Sequence, residues 1–244
     1  MKIVSLVPSI TEALFDLGLT ENEVVGRTKF CIHPQDKIKN VPIIGGTKNI
    51  NIEKIKALQP DLILANKEEN VKDQVEALMD DYKVMVTNID TIEDNYYLLK
   101  NLGKLFGKED RAQLYNLKIY DVLNQAKLDI PVKAAYLIWK NPYMTIGSDT
   151  FIHRILTEIG FENIFKNQTR YPQISTEDLA DADVIMLSSE PFPFKEKHIE
   201  ELKAFYPDKK IIIVDGEAFS WYGTHIAKCE EYFRELVSQF AYTK

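Results

Sequence analysis

Thr91 to Lys127, TIEDNYYLLKNLGKLFGKEDRAQLYNLKIYDVLNQAK, is the longest run of the 244-residue chain with helical spacing and no proline. Leu98, Leu99, Leu102, Leu105 and Phe106 form one apolar stripe at three- and four-residue steps. Ala112, Leu114, Tyr115, Ile119, Val122 and Leu123 form a second, wider one. Gly103 and Gly107 interrupt the first stripe, and Gly107-Lys108-Glu109-Asp110 reads as a helix stop followed by an acid-rich start. The spacing predicts one helix ending near Phe106 and another from Glu109 to Lys127, the latter roughly 28 Å long. About half of the chain lies on each side. The second helix is therefore either a surface helix of one large domain or the connection between two lobes, and the flanks decide which.

Both flanks alternate strand and helix. On the amino-terminal side, Ile3 to Val7 is strand-like, and Ile10 to Leu17 is a helix that Ser9 or Thr11 could cap, with Glu12 three residues after Ser9. Val24 to Gly26, Leu62 to Ala65 and Lys83 to Thr87 are further strands, with helices at Asn51 to Leu58 and Val71 to Met79. On the carboxyl-terminal side, strands are expected at Ala134 to Trp139, Val184 to Leu187 and Ile211 to Val214. Helices are expected at Thr150 to Ile159, Ser175 to Leu179, Lys197 to Phe205 and Ile226 to Phe240. Such alternation implies parallel sheets covered by helices. The halves echo each other: Ile52 to Ala65, a loop and Val71 onward match Ile174 to Leu187, a loop and Lys197 onward. The expected fold is α/β, two Rossmann-like lobes with parallel sheets joined by a single long backbone helix. The corresponding division is an amino-terminal lobe over 1–107, a connecting helix over 108–128 and a carboxyl-terminal lobe over 129–244.

Composition narrows the function. A net charge of −7, with dispersed Lys and Arg, argues against a nucleic-acid partner. Two cysteines, Cys31 and Cys229, carry no disulfide signature, and no stretch reaches the length of an apolar membrane span. Met1-Lys2 runs directly into a strand-like segment, so the chain as written is expected in the cytoplasm, or in the periplasm or on a membrane anchor if a leader is missing.

In open parallel sheets, ligands bind beyond the carboxyl ends of the strands. The loops there are Pro8-Ser9, Thr28 to Pro34, Asn66 to Asn70, Trp139 to Thr145, Ser188 to Phe194 and Asp215 to His225. They hold Phe30, Trp139, Tyr143, Phe192, Phe194, Phe219, Trp221 and Tyr222. Flat rings with a few hydroxyls and amides suit a large planar or macrocyclic ligand held by contact area, and equally the plugging of sheet ends. There is no G-x-S-x-G elbow, no Walker loop and no G-x-G-x-x-G after a strand, so no catalytic residue is assigned. Cys31-x-His33 could be a thiol beside a base or half of a metal site, but no second Cys/His pair completes it. His225 could coordinate a ligand's metal or serve as a hydrogen-bonding group. His153 and His198 fall in predicted helices and read as surface or boundary residues. Glu190 precedes Pro191 on a stiff loop, where it could contact ligand or partner, or cap the next helix.

Val7-Pro-Ser-Ile-Thr-Glu, Leu58-Gln-Pro-Asp-Leu-Ile-Leu-Ala, Gly160-Phe-Glu-Asn-Ile-Phe and Ser188-Ser-Glu-Pro-Phe-Pro-Phe stand in one order over nearly the whole chain. In these the sequence resembles the helical-backbone substrate-binding proteins of ABC importers, and within them the vitamin B12-binding branch, whose relatives carry corrinoids, ferric siderophores or haem. The resemblance implies capture, without catalysis, of a cobalamin-like or other metal-chelate ligand in an interlobe cleft, with no covalent cofactor. It places ligand contacts at Ser9, Phe30, His33, Asn66, Asn141, Tyr143, Tyr171, Phe219, Trp221 and Tyr222, to which the stiff loop adds Glu190. Asn66 stands where the B12 binder has an aromatic. The resemblance also implies a monomer that docks an ABC permease through surface acids, here Glu69, Asp73, Glu190 or Glu196. The alternatives are a cytoplasmic non-transport binding protein of the same fold, a ferric-siderophore or haem binder, and an enzyme using Cys31 and His33.

Overall fold

The computed structural model describes residues 1–240. Contacts divide the chain into two compact units. The first comprises Met1–Ile89, Glu93–Lys118 and Trp221–His225; the second comprises Asp90–Ile92, Ile119–Ser220 and the chain from Ile226 onward.

In the first unit, β1 (Ile3–Ser5) leads into α1 (Pro8–Asp16), β2 (Val24–Arg27), α2 (Gln35–Ile38), α3 (Ile52–Leu58), β3 (Leu62–Asn66), α4 (Lys72–Met79) and β4 (Val84–Thr87). The strands form a parallel sheet in the order β2-β1-β3-β4, with Ile3 beside Leu62 and Asn66 beside Thr87. Every residue of β1 and β3 is buried, as strands covered on both faces must be. Val4, Leu6, Ile55, Ile63, Val75 and Leu78 pack together on one side of this sheet. The start of α1 differs from the sequence expectation. The helix opens at Pro8 with Val7 as its N-cap and no side-chain cap, because proline's fixed φ suits the first helical position. Ser9 is thus a buried helical residue, and Glu12 is released for another partner.

The opening stretch forms α5 (Ile92–Phe106) and α6 (Glu109–Gln125). Gly107, at φ +64°, ends α5, and the Lys108 amide donates to Gly103 O at 2.8 Å, a left-handed helix stop. Ala112, Ile119, Val122 and Leu123 are buried, but Leu114 is 50% exposed. At about 100° per residue, Leu114 points away from the face shared by those four. Helix α6 belongs to the first unit through Lys118 and to the second from Ile119, which places the division inside the helix.

The second unit contains β5 (Val132–Leu137), β6 (Tyr143–Met144), α7 (Phe151–Glu158), β7 (Phe161–Asn163), β8 (Gln173–Ile174), β9 (Val184–Ser188), α8 (Glu196–Lys203), β10 (Lys210–Val214), α9 (Gly216–Ser220) and α10 (Glu230–Ser238). Its parallel sheet runs β10-β9-β5-β7. In chain order this is the arrangement of the first sheet: the first strand lies inside, the second at one edge, and the third and fourth follow on its other side. The echo in sequence is thus an echo in topology. An antiparallel pair, β6 with β8, and the short helix α9 occupy segments expected to be loop or left unassigned. The closing helix is broken by a 3₁₀ turn over His225–Lys228 before α10.

Trp221–His225 belongs to the first unit, not to the carboxyl-terminal half in which sequence order puts it. Three side chains of the unit, those of Asn95, Asp16 and Glu12, hold it there. The amide of Asn95, itself fully buried, donates through Nδ2 to Gly223 O at 3.2 Å and accepts the Gly223 N–H. Thr224 Oγ1 donates to Asp16 Oδ2 at 2.5 Å, and His225 Nδ1 lies 2.8 Å from Glu12 Oε2. Gly223 sits at φ +80°, and a Cβ on it would stand 3.2 Å from Ser9 O and 3.3 Å from the Ala13 Cβ. Only glycine combines that backbone with that approach to α1. Asn95→Leu, which strands two backbone groups, is expected to destabilise the first unit by about 1–3 kcal/mol for each. Gly223→Ala should destabilise it too. Urea unfolding followed by Trp221 emission checks both, and unchanged midpoints would contradict this docking.

Candidate functional site

In the first unit the site begins at a buried cation. Arg27, at the end of β2, donates from Nε to Ile38 O at 3.1 Å, and from Nη1 to Cys31 O at 3.0 Å and Thr28 O at 3.3 Å. A guanidinium offers five donors in a fixed plane, so it gathers carbonyl oxygens of the loop around itself. That loop carries Phe30, 50% exposed with the Lys29 ammonium 4.9 Å from its ring centre, and His33. The His33 ring lies 5.3 Å from Trp221 and 5.9 Å from His225, and Trp221 lies 5.3 Å from His225. Two residues expected to meet ligand, His33 and Trp221, thus join the candidate metal ligand His225 above the buried Glu12 carboxylate. Among the described residues, no group of three or more His, Cys, Asp or Glu is arranged to hold a metal ion.

Other expected contacts are buried and bonded within the unit. Asn66 is buried, with Nδ2 donating to Thr87 Oγ1 at 3.1 Å and Oδ1 accepting from the amides of Glu68 and Glu69. It shapes its loop instead of presenting an amide outward. Asn70, which no motif singled out, receives the Asn66 amide on Oδ1 and donates to Leu6 O and Thr47 O, tying three loops together. Ser9 and Tyr222 are both buried, and burial raises the Tyr222 phenol while the Ser9 and Thr87 hydroxyls draw it down. Cys31 is fully buried. Its Sγ is enclosed by Thr11 Oγ1 at 3.1 Å and Thr28 Oγ1 at 3.2 Å, and burial raises the thiol's pKa despite those contacts.

In the second unit, Trp139 follows β5 and is 40% exposed, its ring 5.6 Å from Phe192 and nearly perpendicular to it. Asn141 is exposed at φ +64°, a left-handed conformation that asparagine tolerates. Tyr143 is half-buried in β6 and packs on the core of this unit. Tyr171 is half-buried beneath the Arg170 guanidinium, 5.5 Å from its ring centre. Glu190 is half-buried, and its Oε1 accepts from Ser220 Oγ at 2.7 Å. Phe219 is fully buried in α9, 5.1 Å from Tyr136 and 5.5 Å from Phe233, so its ring plugs the core. The helix start at Gly216 turns it inward, a signal obscured in the sequence by the neighbouring aromatics.

His153 and His198 are buried, not surface residues. Asn163 Nδ2 lies 3.2 Å from His153 Nδ1, and the Lys195 amide donates to His198 Nδ1 at 2.8 Å. A backbone donor fixes the His198 Nδ1 as an acceptor, so that ring is neutral. Burial lowers both pKa values, with Arg154 adding to the effect at His153 and Lys140 at His198. When the folded pKa is lower than the unfolded one, the unfolded chain takes up the proton first. Stability is then present above the ordinary value of 6.5 and lost as pH falls through and below it. Unfolding free energy is expected to fall between about pH 7 and about pH 5, less steeply in His153→Asn, whose Oδ1 can take the acceptor position without titrating. Denaturant titrations across that range check this; equal slopes in both proteins would contradict it.

Comparison with known proteins places this architecture in a family. The model of a family described as "Periplasmic binding protein" matches residues 3–204. The vitamin B12-binding protein of Salmonella typhimurium (strain LT2) is 30% identical over 184 residues, 73% of this chain and 68% of its own length. An uncharacterised ABC transporter substrate-binding lipoprotein of Bacillus subtilis (strain 168), YvrC, is 31% identical over 189 residues, 72% of this chain and 59% of its own. The crystal structure of the periplasmic vitamin B12-binding protein BtuF of Vibrio cholerae superposes with a TM-score of 0.80 at 19% identity, covering 98% of this chain and 96% of that one. The chain belongs to the periplasmic binding protein family. The cytoplasmic expectation drawn from the opening residues finds no support in a family so described. No helix among the described residues is long and apolar enough to cross a membrane.

Proposed function

We propose that this protein captures a corrinoid or another metal chelate reversibly and delivers it to an ABC importer outside the cytoplasmic membrane. The observation that carries the reading is the ring group His33, Trp221 and His225 in the first unit, beside the exposed Phe30. In the second unit Trp139, backed edge-to-face by Phe192, gives a comparable surface after β5. Flat rings hold macrocycles by contact area, and a few nitrogens and amides orient them. A chelate brings most of its metal's donors with it, so its capture requires no three-ligand cluster on the protein. The names of the relatives, vitamin B12 binding and ABC substrate binding, point the same way. Enclosure of the Cys31 sulfur by the Thr11 and Thr28 hydroxyls favours binding over thiol chemistry there.

Permease docking is assigned to Asp73 and Glu196. Both are exposed in the first turn of their helices, and α4 and α8 follow strands that are equivalent in the two sheets. Glu190 is the weaker candidate, since its carboxylate already holds Ser220.

Titration with aquocobalamin, hemin and a ferric siderophore, followed by visible absorbance and tryptophan emission, tests the reading and selects among the three. One of them is expected to bind saturably, with His33→Ala and Trp139→Ala each weakening it about tenfold, the loss of one well-packed aromatic contact. No saturable binding of any of the three at high micromolar concentration would contradict it.

A further inference from the structure

We propose that His198 is a positioning residue that couples the Trp139 platform to pH, its neutral imidazole holding Phe192 and Phe194 in place behind Trp139 and its protonation releasing them. The chain of contacts is continuous. Trp139 stands 5.6 Å from Phe192, Phe192 stands 4.7 Å from Phe194, and each phenylalanine lies 5.4 Å from the His198 ring. His198 is 4% exposed and Trp139 is 40% exposed, so a buried titratable ring supports a surface tryptophan through two intermediates.

The support depends on one protonation state. The His198 amide donates to Lys195 O and the Lys195 amide donates back to His198 Nδ1, both at 2.8 Å, closing the first turn of α8. A proton on Nδ1 would set a donor against a donor, break that closure and leave a charge among aromatic rings. Charged groups from each surrounding segment bear on the ring. Lys140, after β5, and Lys197, on α8, disfavour the imidazolium. Glu201, also on α8, favours it but is engaged with the Lys140 ammonium in an ion pair. The Phe192–Phe194 loop adds only rings and the backbone of Lys195. The burial that lowers the His198 pKa places the release on the acid side of the ordinary imidazole value of 6.5. Released, the loop loses its backing and Trp139 its fixed edge-to-face partner.

The ligand consequence rests on the role given to Trp139 above; the conformational coupling does not. The experiment therefore has two arms. In Trp221→Phe, Trp139 is the remaining tryptophan of the chain. Its emission, without ligand, is expected to move to longer wavelength as pH falls, with a midpoint below 6.5, at constant far-UV dichroism. In His198→Asn on that background, emission should not respond. Should that variant fail to fold, Lys140→Met removes the opposing charge and frees Glu201, so the midpoint should rise. Emission that ignores pH with His198 present, or shifts equally without it, or a midpoint unmoved by Lys140→Met, would overturn the coupling. In the second arm, affinity for whichever of aquocobalamin or hemin binds should fall about three- to tenfold over the same range, the worth of one aromatic contact, and stay level in His198→Asn. An emission change with level affinity would support the latch and contradict the ligand role of Trp139.

Discussion

Asn95 and Gly223 stand 128 positions apart, and their reciprocal hydrogen bonds complete the first unit. A buried asparagine here serves as a strand partner for a single residue, satisfying both its N–H and its C=O. Without it two buried backbone groups would lack partners, at a cost of about 1–3 kcal/mol each. Thr224 on Asp16 and His225 beside Glu12 extend the attachment along α1. The return of five residues to the first unit places Trp221 and His225 against His33, and the candidate ligand surface of that unit follows from it.

The two units build their ring surfaces by different means. In the first, a buried guanidinium gathers carbonyl oxygens to shape the loop that carries Phe30 and His33. In the second, the neutral imidazole of His198 and aromatic edges stand behind Trp139, with His198 against Phe192 and Phe194. A guanidinium keeps its charge at any pH a protein survives, whereas an imidazole does not. The same fold repeated twice thus rests one ring surface on a guanidinium of fixed charge and the other, as proposed, on an imidazole that can take up a proton.

Much of the fold was legible because it depends on local signals. The Gly107 stop, the acid-rich start at Glu109, the apolar strands and the echo between halves are all written over short windows. What escaped depends on long-range contact. Nothing near Trp221 announces Asn95, and nothing near Ser9 says that Pro8 begins the helix without a side-chain cap. Phe219 and Trp139 look alike as aromatic residues near strand ends, yet one is sealed in the core and the other 40% exposed. Burial of that kind is a property of packing, not of composition. The histidines were misplaced for the same reason: an amphipathic helix marks its inward face, but not that an imidazole on it will meet Asn163 or the Lys195 amide.

The proposed function places ligand in the first unit against the surface that Trp221–His225 completes. Hydrogen exchange of the native protein, with and without its saturating chelate, measures this directly. Amides of Thr28 to Pro34 and of Trp221 to His225 should both become more protected when ligand binds, and should do so together. Protection confined to other segments, or exchange in these two that ligand leaves unchanged, would contradict it.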